Sequence, residues 1–182
     1  MRFIIRAVPE RTEYIEYLKL HLPQAEWCYD QKRDAMDTFL RAMQMAGDEP
    51  CVHMEEDILL TDDFVAKINS AIQKRPDEVI QFFSMRQADL DIGSRYDRSF
   101  IMNQCFYLPT TCSRQVLEFK DKWTDIAKHP TGTDLMVNDW LKSLKKPYWI
   151  YVPSLVEHRV GKSAIDTRRS SKRQSKTFAD PV

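Results

Sequence analysis

Apolar and polar positions alternate in blocks along the 182-residue chain, and the blocks change period from one to the next. Arg2 to Val8 is nearly continuous apolar sequence closed by Pro9, which predicts a buried strand. Thr12 can cap a helix carrying Ile15, Leu18 and Leu22 on one face. Glu26 to Tyr29 suits a short strand. From Asp30 a longer helix is expected, with Met36, Phe39, Leu40 and Met43 at 3.6-residue spacing, ended by Gly47 and Pro50. Cys51 to Met54 reads as a buried strand that runs straight into Glu55-Glu56-Asp57. Thr61 or Asp62 then caps a helix whose apolar face is Phe64, Val65, Ile68 and Ile72.

The second half is less regular. Glu78 to Ser84 and Phe100 to Leu108 are predicted strands. The polar stretch between them, Met85 to Ser99, reads as a mobile loop able to close over a ligand. A helix from Ser113 carries Val116, Phe119, Lys120, Trp123 and Ala127, and another from Thr133 carries Val137, Trp140, Leu141 and Leu144. Tyr148 to Val152 is a last strand. Strands alternating with helices predict an α/β fold with a mostly parallel central sheet flanked by helices. The expected organisation is one domain over residues 1–165 and a basic tail over 166–182.

Composition narrows the function. Lys+Arg and Asp+Glu both total 27, which excludes a globally basic nucleic-acid coat protein. The balance is uneven, however. From Arg159 onward the charges are mainly Arg159, Lys162, Arg168, Arg169, Lys172, Arg173 and Lys176, which reads as an anion-facing arm, ordered after Arg168 only by a ligand or partner, with a plain solvated tail as the alternative. The four glycines, Gly47, Gly93, Gly132 and Gly161, build no phosphate-cradling loop. Gly161-Lys162-Ser163 mimics the end of one, but Val156 stands where its first glycine belongs. The four cysteines have no CxxC spacing, so a zinc site is not expected. There is no leader-like segment, and no apolar run approaches the roughly 20 residues of a membrane helix. These features suit a soluble cytoplasmic protein with reduced thiols.

The sharpest chemical feature is Glu55-Glu56-Asp57 at a strand end. Adjacent carboxylates repel, and a divalent cation relieves that repulsion through oxygen ligands. Alternation along the strand places Glu55 and Asp57 on one face. A solvated acidic turn before the next helix is the alternative reading. The second feature is Pro153-Ser154-Leu155-Val156-Glu157-His158, followed by Arg159 and Gly161-Lys162-Ser163. A histidine beside several cations suits a metal-bound diphosphate.

Together the two segments resemble GT-A-fold glycosyltransferases. Val52-His53-Met54-Glu55-Glu56-Asp57-Ile58-Leu59-Leu60-Thr61-Asp62-Asp63-Phe64 is similar to that family's acidic motif. The closest likeness is to the lipopolysaccharide-type enzymes of families 25 and 2 and to small bacteriophage DNA-modifying transferases. The resemblance spans residues 2–165 in order of elements, with two specific motifs. It implies that Asp57 and His158 ligate Mn2+ or Mg2+. It also implies that Glu55 holds the ribose of a nucleotide-sugar, a UDP-sugar, directly or through the metal's shell, beside Glu56. The middle acid is Glu rather than Asp, and the chain is shorter than most relatives. Val8-Pro9-Glu10-Arg11 resembles the family's first loop, which implies that Arg11 and Asp30 meet the nucleotide, with loop and cap roles as their alternative; Arg159 and Lys162, with Arg168, suit the charge that gathers on the departing diphosphate. The resemblance makes Asp134, at a helix start after Gly132-Thr133, the acceptor's general base, with Asp139 second; helix-dipole stabilisation is its plain alternative. Asn103 and Gln104 are polar insertions in an apolar strand, suited to sugar hydroxyls or to a neighbouring strand.

The activity implied is metal-dependent sugar transfer to a hydroxyl. Hydroxymethylated pyrimidine in phage DNA is the leading acceptor, and lipopolysaccharide or capsule the alternative. Two rivals leave more unexplained. A nucleic-acid-binding module gives the acidic triplet no role, because carboxylates repel phosphate. A metal-dependent nuclease lacks an acid-x-Lys strand after the triplet.

Overall fold

A computed structural model describes residues 1–160 and 173–182. The elements, in chain order, begin with β1 (Arg2–Ala7), α1 (Thr12–His21), β2 (Glu26–Tyr29), α2 (Ala35–Ala46) and β3 (Cys51–Glu55). Next come β4 (Ile58–Leu60), α3 (Phe64–Lys74), β5 (Ile80–Gln81), α4 (Asp89–Ile92), β6 (Arg95–Asp97) and β7 (Cys105–Leu108). The chain continues through α5 (Cys112–Phe119), α6 (Thr133–Ser143), β8 (Tyr148–Ile150) and β9 (Val156–His158).

Seven strands form one sheet in the order β2-β1-β3-β7-β5-β8-β6. Its parallel pairs are β1 with β2, β1 with β3, and β5 with β8; β7 and β6 run against their neighbours. Five of the seven strands therefore point the same way, which makes this a mostly parallel α/β sheet. Helices cover both faces. Phe3, Ile5, Val52, Met54, Cys105 and Tyr107 meet Leu18 of α1 and Ile68 of α3 on one side. On the other side, Phe106 and Leu108 meet Phe39 of α2, Val116 of α5 and Trp140 of α6. Burial on both faces is why β1 reads as a nearly continuous apolar run, interrupted by Arg6.

His53 belongs to this core rather than to the acidic motif beside it. Its ring stacks on Phe106 with centroids 5.4 Å apart, and Nε2 lies 3.0 Å from Ser113 Oγ. Burial, with the charges of Arg6 and Arg2, pushes its pKa down from 6.5 to about 3. The unfolded chain takes up this proton first. The stabilisation is therefore present above pH 6.5 and lost as pH falls toward about 3. Urea midpoints measured from pH 7 to pH 4 are expected to fall more steeply for the wild type than for His53→Gln. Glu56 acts in the opposite sense between 4.5 and about 7, so the readout is the difference between the two proteins. Parallel pH profiles would remove His53 from the acid response.

Several boundaries differ from the sequence pattern. The helix expected from Asp30 starts at Ala35, because Asp34 caps it by accepting Met36 N and Asp37 N, each at 3.0 Å. Asp30 instead shapes the preceding turn, accepting Lys32 N and Asp34 N, and Arg33 is left-handed at φ 57°. Thr12 is the first residue of α1 and not its cap, which is Arg11, and Asp63 rather than Thr61 or Asp62 stands before α3. The helix from Ser113 does not reach Ala127. It stops at Phe119 and continues as two 3-10 turns, Lys120–Lys122 and Thr124–Ala127. Between those turns Trp123 is extended, and its indole N–H donates to Asp139 Oδ2 at 3.0 Å.

Met85 to Ser99 is an ordered sheet edge in place of the expected loop. It contains α4 and β6, and β6 pairs with β8. A buried Asp89–Arg95 ion pair at 2.8 Å joins the two elements. Arg75 seals the edge with its guanidinium 3.5 Å from the Trp149 ring centre and 5.3 Å from that of Tyr96. The segment before β7 is irregular from Phe100 to Gln104, with Met102 left-handed at φ 68°.

A separate two-stranded ribbon, β4 with β9, sits at the end of the sheet and places Ile58 opposite His158. The final residues return to this ribbon. Ser175 N donates to Glu157 at 3.0 Å, and Thr61 pairs with Pro181. Val182 N donates to Leu60 O at 3.1 Å. This part of the basic arm is held by backbone, hydroxyl and carboxylate groups of the protein itself. The expected boundary between residues 165 and 166 lies outside the described residues. Among the described residues no helix is long and apolar enough to cross a membrane.

Candidate functional site

The carboxyl ends of β1 and β3 open into a cleft, and β2 ends beside them. Parallel strands whose following segments leave in opposite directions create such a crevice. Arg11, Asp30, Glu55, Glu56, Asp57, Asp134, His158 and Arg159 all line it. Lys162 lies outside the described residues. Asn103 and Gln104 line the cleft too, delivered there by the irregular segment before β7. Asp139 does not; it is occupied by Trp123 and by Lys142 at 3.5 Å.

The acidic triplet is neutralised from within the chain. Arg6 lies opposite Glu55 in the β1–β3 register. Its Nη2 sits 3.3 Å from Glu55 Oε1 and donates to Asn103 O at 2.8 Å. The chain bends after Glu55, so strict alternation ends there. Glu56 and Asp57 then share one partner: Arg11 Nη1 lies 2.9 Å from Glu56 Oε1 and 2.7 Å from Asp57 Oδ2. The β4–β9 ribbon brings His158 Nε2 to 3.4 Å from the same Asp57 Oδ2.

These contacts split the three carboxyls electrostatically. Burial raises Glu55, with Arg6 opposing it. Burial and the neighbouring Asp57 charge push Glu56 up to about 7. Burial acts on Asp57 in the same direction, but the hydrogen bond and charge of His158, with Arg11, outweigh it and hold Asp57 below the usual range. Burial alone would lower His158; the bond to Asp57 and its charge, with that of Glu55, raise it. Asp57 is therefore the most strongly anionic member of the triplet.

Asp57 Oδ1 and His158 Nδ1 are both buried without a partner among the described residues. Two ligands each about 2.1 Å from one cation stand 3.0 to 3.5 Å apart, so the Asp57–His158 separation suits a shared divalent ion. Among the described residues no three His, Cys, Asp or Glu side chains converge on one metal position. Such an ion would draw its remaining ligands from water or a bound substrate.

Asp134 opens α6 and points back toward the cleft. Oδ2 accepts Met102 N and Oδ1 accepts Leu135 N, both at 3.0 Å. Next to it, Asn103 Nδ2 donates to Thr133 Oγ1 at 2.9 Å. Arg159 stands between two rings, 4.7 Å from the centre of Tyr14 and 4.6 Å from that of Tyr17. Arg173 also reaches the cleft wall. The sequence pattern passed over Arg6 and Tyr14. Arg6 left one trace, a cation inside an otherwise apolar strand; Tyr14 left none, because it lies on a helix face that reads as surface.

This is a mixed α/β domain with an acidic, arginine-braced cleft at the strand ends. No protein-family model matches the chain, and no curated protein does. Solved structures do match in fold. One is A197 from STIV, at 14% identity and a TM-score of 0.51, covering 100% of this chain and 98% of that one. Another is a UDP-glucose pyrophosphorylase complexed with UDP-glucose, at 11% identity and a TM-score of 0.50. That match covers 81% of this chain and 72% of the other. At these identities the likeness is one of architecture.

Proposed function

We propose that the chain is a glycosyltransferase that moves a sugar from a nucleotide-sugar, a UDP-sugar, to an acceptor hydroxyl. One observation carries this reading: the strand-end carboxylate Asp57 and the distant His158 meet at 3.4 Å in a cleft that also holds Arg11 and Arg159. The pyrophosphorylase structure with bound UDP-glucose has a related fold, which supports a nucleotide-sugar as the ligand class.

The roles follow from the chemistry of each group. Asp57 and His158 hold Mn2+ or Mg2+. When bound, the ion stabilises the negative charge that gathers on the departing diphosphate. Arg159 faces the phosphates; Glu55, fixed by Arg6, accepts from the ribose. Asp30 presents Oδ2, a buried oxygen with no partner among the described residues, to the nucleotide end. Asp134 takes the acceptor proton, because its two backbone bonds fix its direction while leaving lone pairs open. The cationic residues from Arg159 onward favour an anionic acceptor polymer. DNA carrying hydroxymethylated pyrimidines is the acceptor we favour, and lipopolysaccharide is its rival.

Thermal melts with a panel of nucleoside diphosphates and their sugars, with and without Mn2+, test the core of this reading. A ligand at 100 times its Kd adds about 2.7 kcal/mol. For a domain of this size that is a shift of roughly 5 to 10 °C. The expected result is a shift with a uridine nucleotide that needs the metal. No shift with any nucleotide would overturn the proposal.

A further inference from the structure

In the structure the position beside Asp57 and His158 is not simply open. Arg11 Nη1 touches Asp57 Oδ2, the same oxygen that His158 approaches, and Glu56 Oε1 as well. An arginine and a divalent cation seated at the 3.4 Å approach of Asp57 and His158 use the same carboxylate oxygen. We infer that Arg11 occupies the cation's place on Asp57 in the ligand-free protein and leaves it for the phosphates of an incoming nucleotide, so that divalent cation and nucleotide bind together and not separately. The inference rests on the nucleotide-sugar reading above.

Charge supports it. Glu55, Glu56 and Asp57 face Arg6 and Arg11, which offset two of the three carboxylates, while His158 is uncharged whenever it ligates a cation. A dication added with Arg11 in place puts like charges in contact. A diphosphate added alone is met by Arg159, but drawing Arg11 to it leaves Asp57 and Glu56 without their cation. Entering together, the dication and a diphosphate of two negative charges cancel, and Arg11 exchanges one anionic partner for another.

The local geometry allows the exchange. The Arg11 carbonyl is fixed by accepting Tyr14 N and Ile15 N at the start of α1, each at 3.1 Å. Only the side chain has to swing. The Tyr14 ring, 5.6 Å from the Arg11 guanidinium and 4.7 Å from that of Arg159, offers a face for it to slide along. Arg6 cannot make this move, since it is buried over Phe39 and tied to the Asn103 carbonyl.

The test measures free Mn2+ by electron paramagnetic resonance, with and without UDP, for the wild type, Arg11→Gln and Arg11→Lys. Removing one unit of positive charge in contact with the ion's carboxylate is expected to tighten Mn2+ binding in the absence of UDP at least about tenfold. The same change should weaken UDP binding without metal. Arg11→Lys keeps the charge and should bind Mn2+ alone as weakly as the wild type. Arg11→Met replaces the glutamine variant if that one does not fold. Equal or weaker Mn2+ binding by a folded, uncharged Arg11 variant overturns the inference and leaves the nucleotide-sugar reading standing. Failure of all the proteins to bind Mn2+, with or without UDP, overturns both.

Discussion

Replacing Asp57 by asparagine is expected to lower the release of nucleoside diphosphate from the nucleotide-sugar by about 10²- to 10³-fold, the size of effect seen when an electrostatic stabiliser of a transition state is removed. The change is nearly isosteric, so the cleft keeps its shape. What it removes is the charge that Arg11 and His158 both address, at 2.7 and 3.4 Å. Two further consequences separate this from general damage. The Mn2+-dependent part of the nucleotide-induced melting shift should vanish. Glu56 should also titrate nearer its ordinary 4.5, because the Asp57 charge is one of the causes raising it. A variant that keeps more than a tenth of the activity and the metal-dependent shift would remove Asp57 from the centre of the mechanism.

Arg6→Met is expected to cost about 3 kcal/mol of folding stability, through the loss of one partner from a buried ion pair. Arg6 is nearly enclosed, with 8% of its side chain exposed, whereas Glu55 retains 26%. That residual exposure places the cost at the lower end of what breaking such a pair entails. The methionine still packs over Phe39, but Glu55 loses its cation and the Asn103 carbonyl loses a donor. Adding Glu55→Gln should recover part of the loss, because a neutral amide in that place needs no counter-charge. Urea unfolding of the four proteins of this cycle measures both effects. A single-variant cost below about 1 kcal/mol, or no recovery in the double variant, would show that Arg6 does not hold Glu55 electrostatically.

The local pattern of the chain determined much of this protein. β1 and β3 were legible because burial on both faces leaves a mainly apolar run, Phe3-Ile4-Ile5 in one and Cys51 to Met54 in the other. α2, α3 and α6 were legible because each buries one face, and burial on one face imprints a 3.6-residue period. The acidic triplet was legible as chemistry because three adjacent carboxylates at a strand end are costly wherever the chain goes. Less legible were the elements that lack an apolar face of their own. β6 survives on pairing with β8 and on Arg75 laid over Trp149, and neither contact leaves a mark in residues 85–99. The 3-10 break after Phe119 is decided by where Trp123 finds Asp139, on another helix.

The candidate site divides in the same way. Most of its residues could be listed from the sequence, Arg6 and Tyr14 aside, but their partners could not. Arg6 reaches Glu55 because β1 and β3 pair in one register and no other. His158 reaches Asp57 because β9 folds back antiparallel on β4. The triplet's neutralisation by arginines of the chain itself follows from those two pairings and from the turn that carries Arg11. Periodicity reports how each segment meets the core. Which segments meet one another is fixed by sheet order and strand register, and those are properties of the folded chain as a whole.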